Sequence, residues 1–340
     1  MPLSPHLPAR RMRTAGLAAA SAVAVAALLG GAPAAWAGDR TVTDPASSAR
    51  PLELHASPAE TADALAFWTP ARMAAATRAV DAATTVDALD AAAPSAQEDT
   101  IAPAAVAPSD AASPAPISTA EQVPVVPHIG KLFGIFGSSI ETCSANVVVS
   151  GNESVVATAG HCVLRGGQYA SRLIFAPAYA NGQDPYGTWA LSGAVVAAGY
   201  AQDESDQGDD TAFAVAAPNE DGADITSVVG ASPVLFDQDP AELGTVYGYP
   251  GAGRFDARTL QRCRGVFETF DPERIDVACD MNEGVSGGPI FAGDGSDGAE
   301  FGNAAARFED SSHVVGTLWM AAEHAAYDQA AAIPAVPAAG

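Results

Sequence analysis

Beyond Pro127 short apolar runs alternate with clusters of Gly, Asn, Asp and Pro, a spacing that predicts strands joined by turns. Such runs occupy 131–136, 146–149, 154–157, 172–175, 193–196, 211–215, 244–249, 259–263, 275–279, 289–291 and 314–318. Ser150-Gly151-Asn152-Glu153 separates two valine-rich runs and reads as a hairpin connection. Eleven or so strands without a long amphipathic helix among them predict an all-β sandwich or pair of barrels. The stretch is ample for a buried core.

The beginning of the chain follows other patterns. Arg10, Arg11 and Arg13 precede an uncharged run from Ala15 to Leu29, and Ala35-Trp36-Ala37 offers small residues where a signal peptidase reads. Residues 1–37 are therefore expected to be a secretory signal, cut after Ala37, leaving an extracellular protein with no membrane association. The run is too short and alanine-rich for a stable span. From 38 to 127 the chain is mostly Ala, Pro, Ser, Thr and Asp, which bury too little surface to offset the entropy of ordering. A disordered or partly helical pro-segment is expected there. Its exception is Phe67-Trp68-Thr69-Pro70-Ala71-Arg72-Met73, where Thr69 can cap a helix starting at Pro70. Two readings stay open for that helix, docked on the rest of the chain or formed only part of the time. The main domain is expected over 128–340, ordered to about Tyr327, since an alanine- and proline-rich tail follows.

Charge narrows the partners. The 340 residues carry 40 acidic against 16 basic side chains, a net charge of -24, so phosphate backbones and anionic lipid would repel the chain. All four cysteines, Cys143, Cys162, Cys263 and Cys279, fall in the β-rich region, and an even number in an exported protein implies disulfides. Of the three possible pairings, Cys143 with Cys162 and Cys263 with Cys279 is favoured. Each would staple two successive strands, worth roughly 3 kcal/mol by the chain-entropy estimate. No C-x-x-C points to zinc. The acidic run Asp203-Glu204-Ser205-Asp206 with Asp209 reads as a solvated loop rather than a calcium site, and Asp294-Gly295-Ser296-Asp297-Gly298 as a turn.

Two local patterns carry chemistry, Thr158-Ala159-Gly160-His161-Cys162 and Gly284-Val285-Ser286-Gly287-Gly288-Pro289. A serine hydroxyl becomes a useful nucleophile near neutral pH when a histidine accepts its proton, and that histidine needs a carboxylate to fix its tautomer. Glycines around the serine let backbone amides converge where an oxyanion would form, and the N–H groups of Gly284 and Ser286 are the expected donors.

With these motifs the chain resembles the chymotrypsin-like serine peptidases, and more closely their secreted actinomycete branch. TAGHC stands intact, and GVSGGP departs from the family's serine motif only before the serine. Gly130-Lys131-Leu132-Phe133, Gly248-Tyr249-Pro250, Cys279-Asp280-Met281 and the FWTPARM string also match, so that the resemblance spans about 128–325. It implies a double six-stranded antiparallel β-barrel and a secreted, monomeric serine endopeptidase acting on proteins or peptides without a cofactor or metal. His161, Asp210 and Ser286 would be the catalytic residues, with the carboxylate taken from Asp210-Thr211-Ala212-Phe213. Asp209 is the alternative, one residue out of register and facing the other way. The resemblance also implies a zymogen, but Val285 replaces the aspartate that pairs with a new amino terminus in animal relatives. An inhibitory pro-segment would then occupy the cleft or assist folding, and the mature start is expected near 123–128.

The substrate pocket is expected to involve Asp280, Trp319 and Met320. Asp280 lies where trypsin-like relatives place the carboxylate that recognises basic side chains, and the opposing reading gives it a structural hydrogen bond. Glutamate-specific relatives carry a histidine in the strand matching Gly316-Thr317-Leu318-Trp319-Met320, which has none. GxSxG also describes the α/β-hydrolase elbow. That reading requires His313 or His324 with Asp294 or Asp297, and strand–helix alternation, which the chain lacks. The remaining alternative is a secreted binding module that keeps this fold without turnover.

Overall fold

In the first half of the main domain, strands rich in alanine and β-branched residues bury both of their faces, and this double burial organises the structure. The computed structural model describes residues 50–78, 86, 119–238 and 243–338. The expected signal sequence lies outside them. The chain begins with strand β1 (Leu52–His55), helices α1 (Pro58–Phe67) and α2 (Pro70–Arg78), and strands β2 (Glu121–Gln122), β3 (Ile129–Phe136), β4 (Ser139–Val147) and β5 (Val155–Thr158). A 3₁₀ turn (Gly160–Cys162) leads to β6 (Leu164–Arg165), β7 (Gln168–Tyr169), β8 (Ser171–Pro177), β9 (Trp189–Val196), α3 (Ala198–Gln202), β10 (Ala212–Ala216) and α4 (Ile225–Val229). The second half holds β11 (Leu243–Gly248), β12 (Gln261–Val266), β13 (Glu268–Thr269), β14 (Arg274–Ala278), β15 (Pro289–Ala292), β16 (Glu300–Arg307), β17 (His313–Leu318) and α5 (Ala321–Ala332).

Strands β8, β3, β4, β5, β10 and β9 pair in that order, and β9 returns to β8 through Ile174–Ala190 and Phe175–Trp189, closing an antiparallel barrel. The second sheet runs β14-β17-β16-β15-β11-β12, with β13 and β2 on its edges. It curls into a half-barrel, and the Cys263–Cys279 disulfide ties β12 to the end of β14 across the opening. Cys143–Cys162 pins the 3₁₀ turn to β4. Both disulfides follow the favoured pairing, and the fold is the chymotrypsin-like double barrel.

The two-residue period of a strand explains the double burial. Ala212, Ala214 and Ala216 of β10 face the barrel interior with Val156 and Leu191, while Phe213 and Val215 face outward against Trp319, Ala326 and Ala330 at the C-terminal helix. On another sector Leu132, Leu173 and Phe175 point inward. Their neighbours Phe133, Ile135 and Ile174 form an outer cluster with Phe67, Trp68 and Met73.

The segment expected to be disordered or partly helical thus contributes strands β1 and β2 and two packed helices, and of the two readings left open for the helix at Pro70 the docked one holds. β1 pairs with β9 from Leu52–Val196 to His55–Gly193. Ser57 and Glu60 form a capping box at the start of α1. Thr69 Oγ1 accepts from the Arg72 N–H at 3.2 Å, as its capping role requires. Trp68 is 2% exposed and donates through Nε1 to the Arg172 carbonyl at 2.6 Å. Composition weighs only what such a segment can bury by itself, whereas the surface it covers belongs to the barrel.

The tail also departs from expectation. Order does not stop near Tyr327, because α5 continues to Ala332 and buries Glu323, Ala326 and Ala330. Alanine is the strongest helix former, and its small side chain allows close packing on β9 and β10. Asn152, in the expected hairpin turn, donates to the carbonyls of Ala330 and Ile333 at 2.9 and 2.8 Å, satisfying the helix end. β16 went unpredicted because its Glu-Phe-Gly-Asn-Ala-Ala-Ala-Arg sequence shows no strand alternation.

Replacing Trp68 by alanine in the full chain leaves a cavity against Phe133 and strands the Arg172 carbonyl. A loss of about 3–5 kcal/mol is expected by chemical denaturation, with the β-sheet circular dichroism retained.

Candidate active site

The 3₁₀ turn after β5 delivers His161 to a buried carboxylate. A Cβ on Gly160 would stand 2.7 Å from the Tyr200 ring and 3.0 Å from Asp210 Oδ1, so glycine is needed for this approach. The His161 backbone N–H donates to Asp210 Oδ1 at 2.9 Å, and Nδ1 lies 2.7 Å from Oδ2. A carboxylate only accepts, so the imidazole proton sits on Nδ1 and leaves Nε2 free to take another. Burial opposes a charge on His161, but the charge and hydrogen bond of Asp210 outweigh it and raise its pKa above the ordinary 6.5. Asp209 faces elsewhere and accepts from the Gly199 N–H at 2.8 Å, so the strand register selects Asp210 as the partner of His161.

The serine loop is pinned from both barrels. Cys279 is disulfide-bonded, and Asn282 accepts from Ala252 N–H at 3.0 Å while donating to the Ala252 carbonyl at 2.7 Å. Gly284 has φ +95° and Gly287 φ +75°. A Cβ on Gly287 would collide with Thr158 Oγ1 and the Ser144 carbonyl, which brings the loop against the residues just before His161. Ser144 of β4 donates its N–H to the Ser286 carbonyl and its hydroxyl to the Gly284 carbonyl, each at 2.8 Å. The carbonyls on the same peptide units, those of Glu283 and Val285, accept from the Gly251 and Gly288 N–H groups at 2.7 and 2.8 Å, and the N–H groups of Gly284 and Ser286 have no hydrogen-bond acceptor among the described residues. Ser286 is partly exposed, and its hydroxyl makes no hydrogen bond to His161. Such contacts often tighten only when substrate is bound.

A positioning network extends behind the carboxylate. Asn303 of β16 donates to the Asp210 carbonyl at 3.0 Å, and its Oδ1 accepts from Thr211 Oγ1 at 2.6 Å and Trp319 Nε1 at 2.9 Å. Nothing in the local sequence marks Asn303, whose partners lie 16, 92 and 93 positions away.

The expected pocket residues need correction. Trp319 is fully buried, packed on Phe213 and Phe236, and its indole N–H is committed to Asn303. It supports the Asp210 strand and cannot line an open pocket. Met320 caps α5 and packs half-buried against the core of the second sheet. Asp280 binds Arg254 through two contacts of 2.8 and 3.0 Å and accepts from the Ala120 N–H at 2.6 Å. Burial pushes its carboxyl up, but these partners outweigh it and hold the pKa below the ordinary range. Its oxygens are engaged structurally, which leaves no free carboxylate for a basic substrate side chain. Cys143, His161 and Cys162 are close enough to suggest metal ligation, but a disulfide joins the two sulfurs and neither is a thiolate.

A two-barrel fold with a paired histidine and carboxylate beside a glycine-rich serine loop defines a chymotrypsin-type serine hydrolase. No protein-family model and no curated protein matches the sequence. Solved structures do. The protease Anisep from Arthrobacter nicotinovorans is 36% identical, with TM-score 0.60, over 63% of this chain and 100% of its own. The thermostable serine protease AL20 from an extremophilic microorganism is 37% identical, with TM-score 0.58, over 60% of this chain and 97% of its own. A Glu endopeptidase at 17% identity and TM-score 0.53 shares the fold. The chain belongs to the bacterial chymotrypsin-fold serine proteases and is a peptide-bond hydrolase.

Asn303→Ala removes the brace on Asp210 without touching the reacting groups. A fall of roughly tenfold to a hundredfold in kcat is expected, with KM nearly unchanged and the pH limb of activity displaced. Asn303→Asp, which keeps the acceptor for Trp319 but loses the donor to Asp210, should not restore the rate.

Proposed function

We propose that the protein is a secreted endopeptidase made as a precursor and working through His161, Asp210 and Ser286. Ser286 Oγ attacks the scissile carbonyl while His161 Nε2 takes its proton. The developing oxyanion is received by the Gly284 and Ser286 amides, and Asp210 stabilises the imidazolium. His161 then gives the proton to the leaving amine, and water hydrolyses the acyl-enzyme. No cofactor enters these steps. The observation that carries the reading is the two-point contact of His161 with buried Asp210, next to a serine loop whose two converging amides lack acceptors.

Two disulfides support an oxidising destination, in keeping with the expected signal sequence. No helix among the described residues is long and apolar enough to cross a membrane. The substrate is a protein or peptide, and the enzyme acts as a monomer. For the pro-segment, residues 50–78 support the outer face of the first barrel rather than block the cleft. Their bonds and packing go to β8, β9 and neighbouring strands, and none to His161, Asp210 or Ser286.

A fluorescent fluorophosphonate tests the reading. Folded protein should label, Ser286→Ala should not, and Asp210→Asn should lose about four orders of magnitude in kcat. Absence of labelling in folded protein would instead favour a binding module on this fold. Activity requires neutral His161, whose pKa is raised, so kcat/KM should rise with pH through an apparent pKa above 6.5. That limb should move down when Asp210 is replaced.

A further inference from the structure

Lys131 of β3 is the only lysine in the chain, and no step of the hydrolysis uses it. It is fully buried, with Nζ 5.8, 6.0 and 5.9 Å from the ring centres of Phe133, Tyr179 and Tyr249, which are fully buried as well. Burial lowers its pKa from 10.5 to about 7, and the charge of Asp256 opposes that only in part. A methionine would fill such a cage without the cost of burying an amine. What the lysine adds is a hydrogen-bond donor. Nζ donates to the Ala257 carbonyl at 2.9 Å, and Lys131 forms no ion pair among the described residues.

That carbonyl belongs to a residue that has to be held. Ala257 is 1% exposed and has φ +55°, a left-handed conformation that alanine disfavours. From Ala257 hydrogen bonds lead to the serine loop. Its N–H donates to the Pro250 carbonyl at 2.8 Å, and the N–H on the same peptide unit, that of Gly251, donates to the Glu283 carbonyl at 2.7 Å. The peptide unit of Glu283 in turn carries the Gly284 N–H, the expected oxyanion donor. Lys131 also stands opposite Ser144 in the pairing of β3 with β4. Neighbouring positions of the first barrel thus reach the serine loop by two routes, directly through Ser144 and through the 250–257 loop from Lys131.

We propose that Lys131 is a positioning residue for the oxyanion site, holding Ala257 in its left-handed conformation and thereby fixing, through Gly251, where the Gly284 N–H stands. It touches no reacting atom. The proposal rests on the reading of the Gly284 N–H as an oxyanion donor, and it gives the buried lysine a role that packing alone would not require.

The test compares Lys131→Met with the unaltered full chain, counting reactive serines with the fluorophosphonate so that kcat is expressed per labelled Ser286. That kcat should fall roughly tenfold or more with KM nearly unchanged. Phenylboronic acid, whose tetrahedral adduct on Ser286 presents an oxygen to the Gly284 N–H, should bind more weakly by a similar factor. Tm should hold or rise, because methionine suits the cage, and the pH limb set by His161 should not move. A lysine with only a structural role would do the reverse, lowering Tm and leaving kcat per labelled serine intact. Should Lys131→Met fail to fold, Lys131→Met combined with Ala257→Gly is the second variant, since glycine takes a positive φ without strain. It should fold and still fall short of the unaltered kcat. The proposal is overturned if a folded variant keeps kcat and phenylboronic acid binding within about twofold. It is also overturned if neither variant folds, which would make Lys131 a requirement of the fold. Absence of labelling in the unaltered chain would instead refute the serine mechanism, and the proposal with it.

Discussion

A buried carboxylate is tolerable only when its oxygens are engaged, and the burial of Asp210 sets the terms for the rest of the site. Its two side-chain oxygens receive the His161 backbone N–H and ring N–H from the first barrel. Its carbonyl receives Asn303 from the second sheet. The residue is therefore a joint between the two halves as well as a partner for the histidine. Strand periodicity sharpens the constraint. A slip of one position would turn Asp210 toward Glu323 and offer His161 the Asp209 side chain instead, so the Asn303 contact protects the identity of the acid as well as its position.

The same barrel imposes a second requirement through its outer surface. Strands apolar on both faces need cover on each, and the chain supplies it from its two ends. The C-terminal helix lies over Phe213 and Val215, and the segment around Trp68 lies over Phe133 and Ile174. The two covers meet, since Gln329 of the helix donates to Glu53 of β1. Losing either would expose apolar strand surface of the kind that promotes association. The contribution of the N-terminal segment is to the stability of the barrel that carries the histidine.

The local parts of the site were legible. His161 and Ser286 sit in contiguous motifs, Asp210 precedes an apolar strand, and the cysteines fall in an order that successive strands can pair. Features created by distant parts of the chain were not. Asn303 lies in a strand of glycine and alanine with no alternation, and its importance comes from Asp210 and Trp319 arriving beside it. Trp319 was misread for the same reason, whereas Asp280 follows the structural reading that the sequence left open. Its partners Arg254 and Ala120 reach Asp280 from 26 and 160 positions away, which no local pattern announces. The alanine-rich tail looked disordered because composition measures a segment alone, whereas Ala330 is buried by strands elsewhere.

The seam between the barrels fixes the place of the serine loop, whose Gly284 and Ser286 amides have no acceptor among the described residues. A glycine-rich loop left to itself would satisfy its N–H groups with water or with neighbouring carbonyls. Here Ser144 takes the carbonyls of Ser286 and Gly284, while its own hydroxyl also accepts from the Tyr249 N–H at 2.9 Å. One residue of the first barrel thus holds three backbone groups of the second, two through its hydroxyl and one through its own N–H. The collision that awaits any side chain at Gly287 shows how closely the barrels must approach for this to happen. Preorganised donors stabilise a transition state because they need not reorient when charge appears. The peptide units that carry these donors are held within the second half, by the Gly251 and Gly288 amides, while Ser144 fixes where the loop stands against the first barrel, so a shift at the seam would move the donors relative to His161.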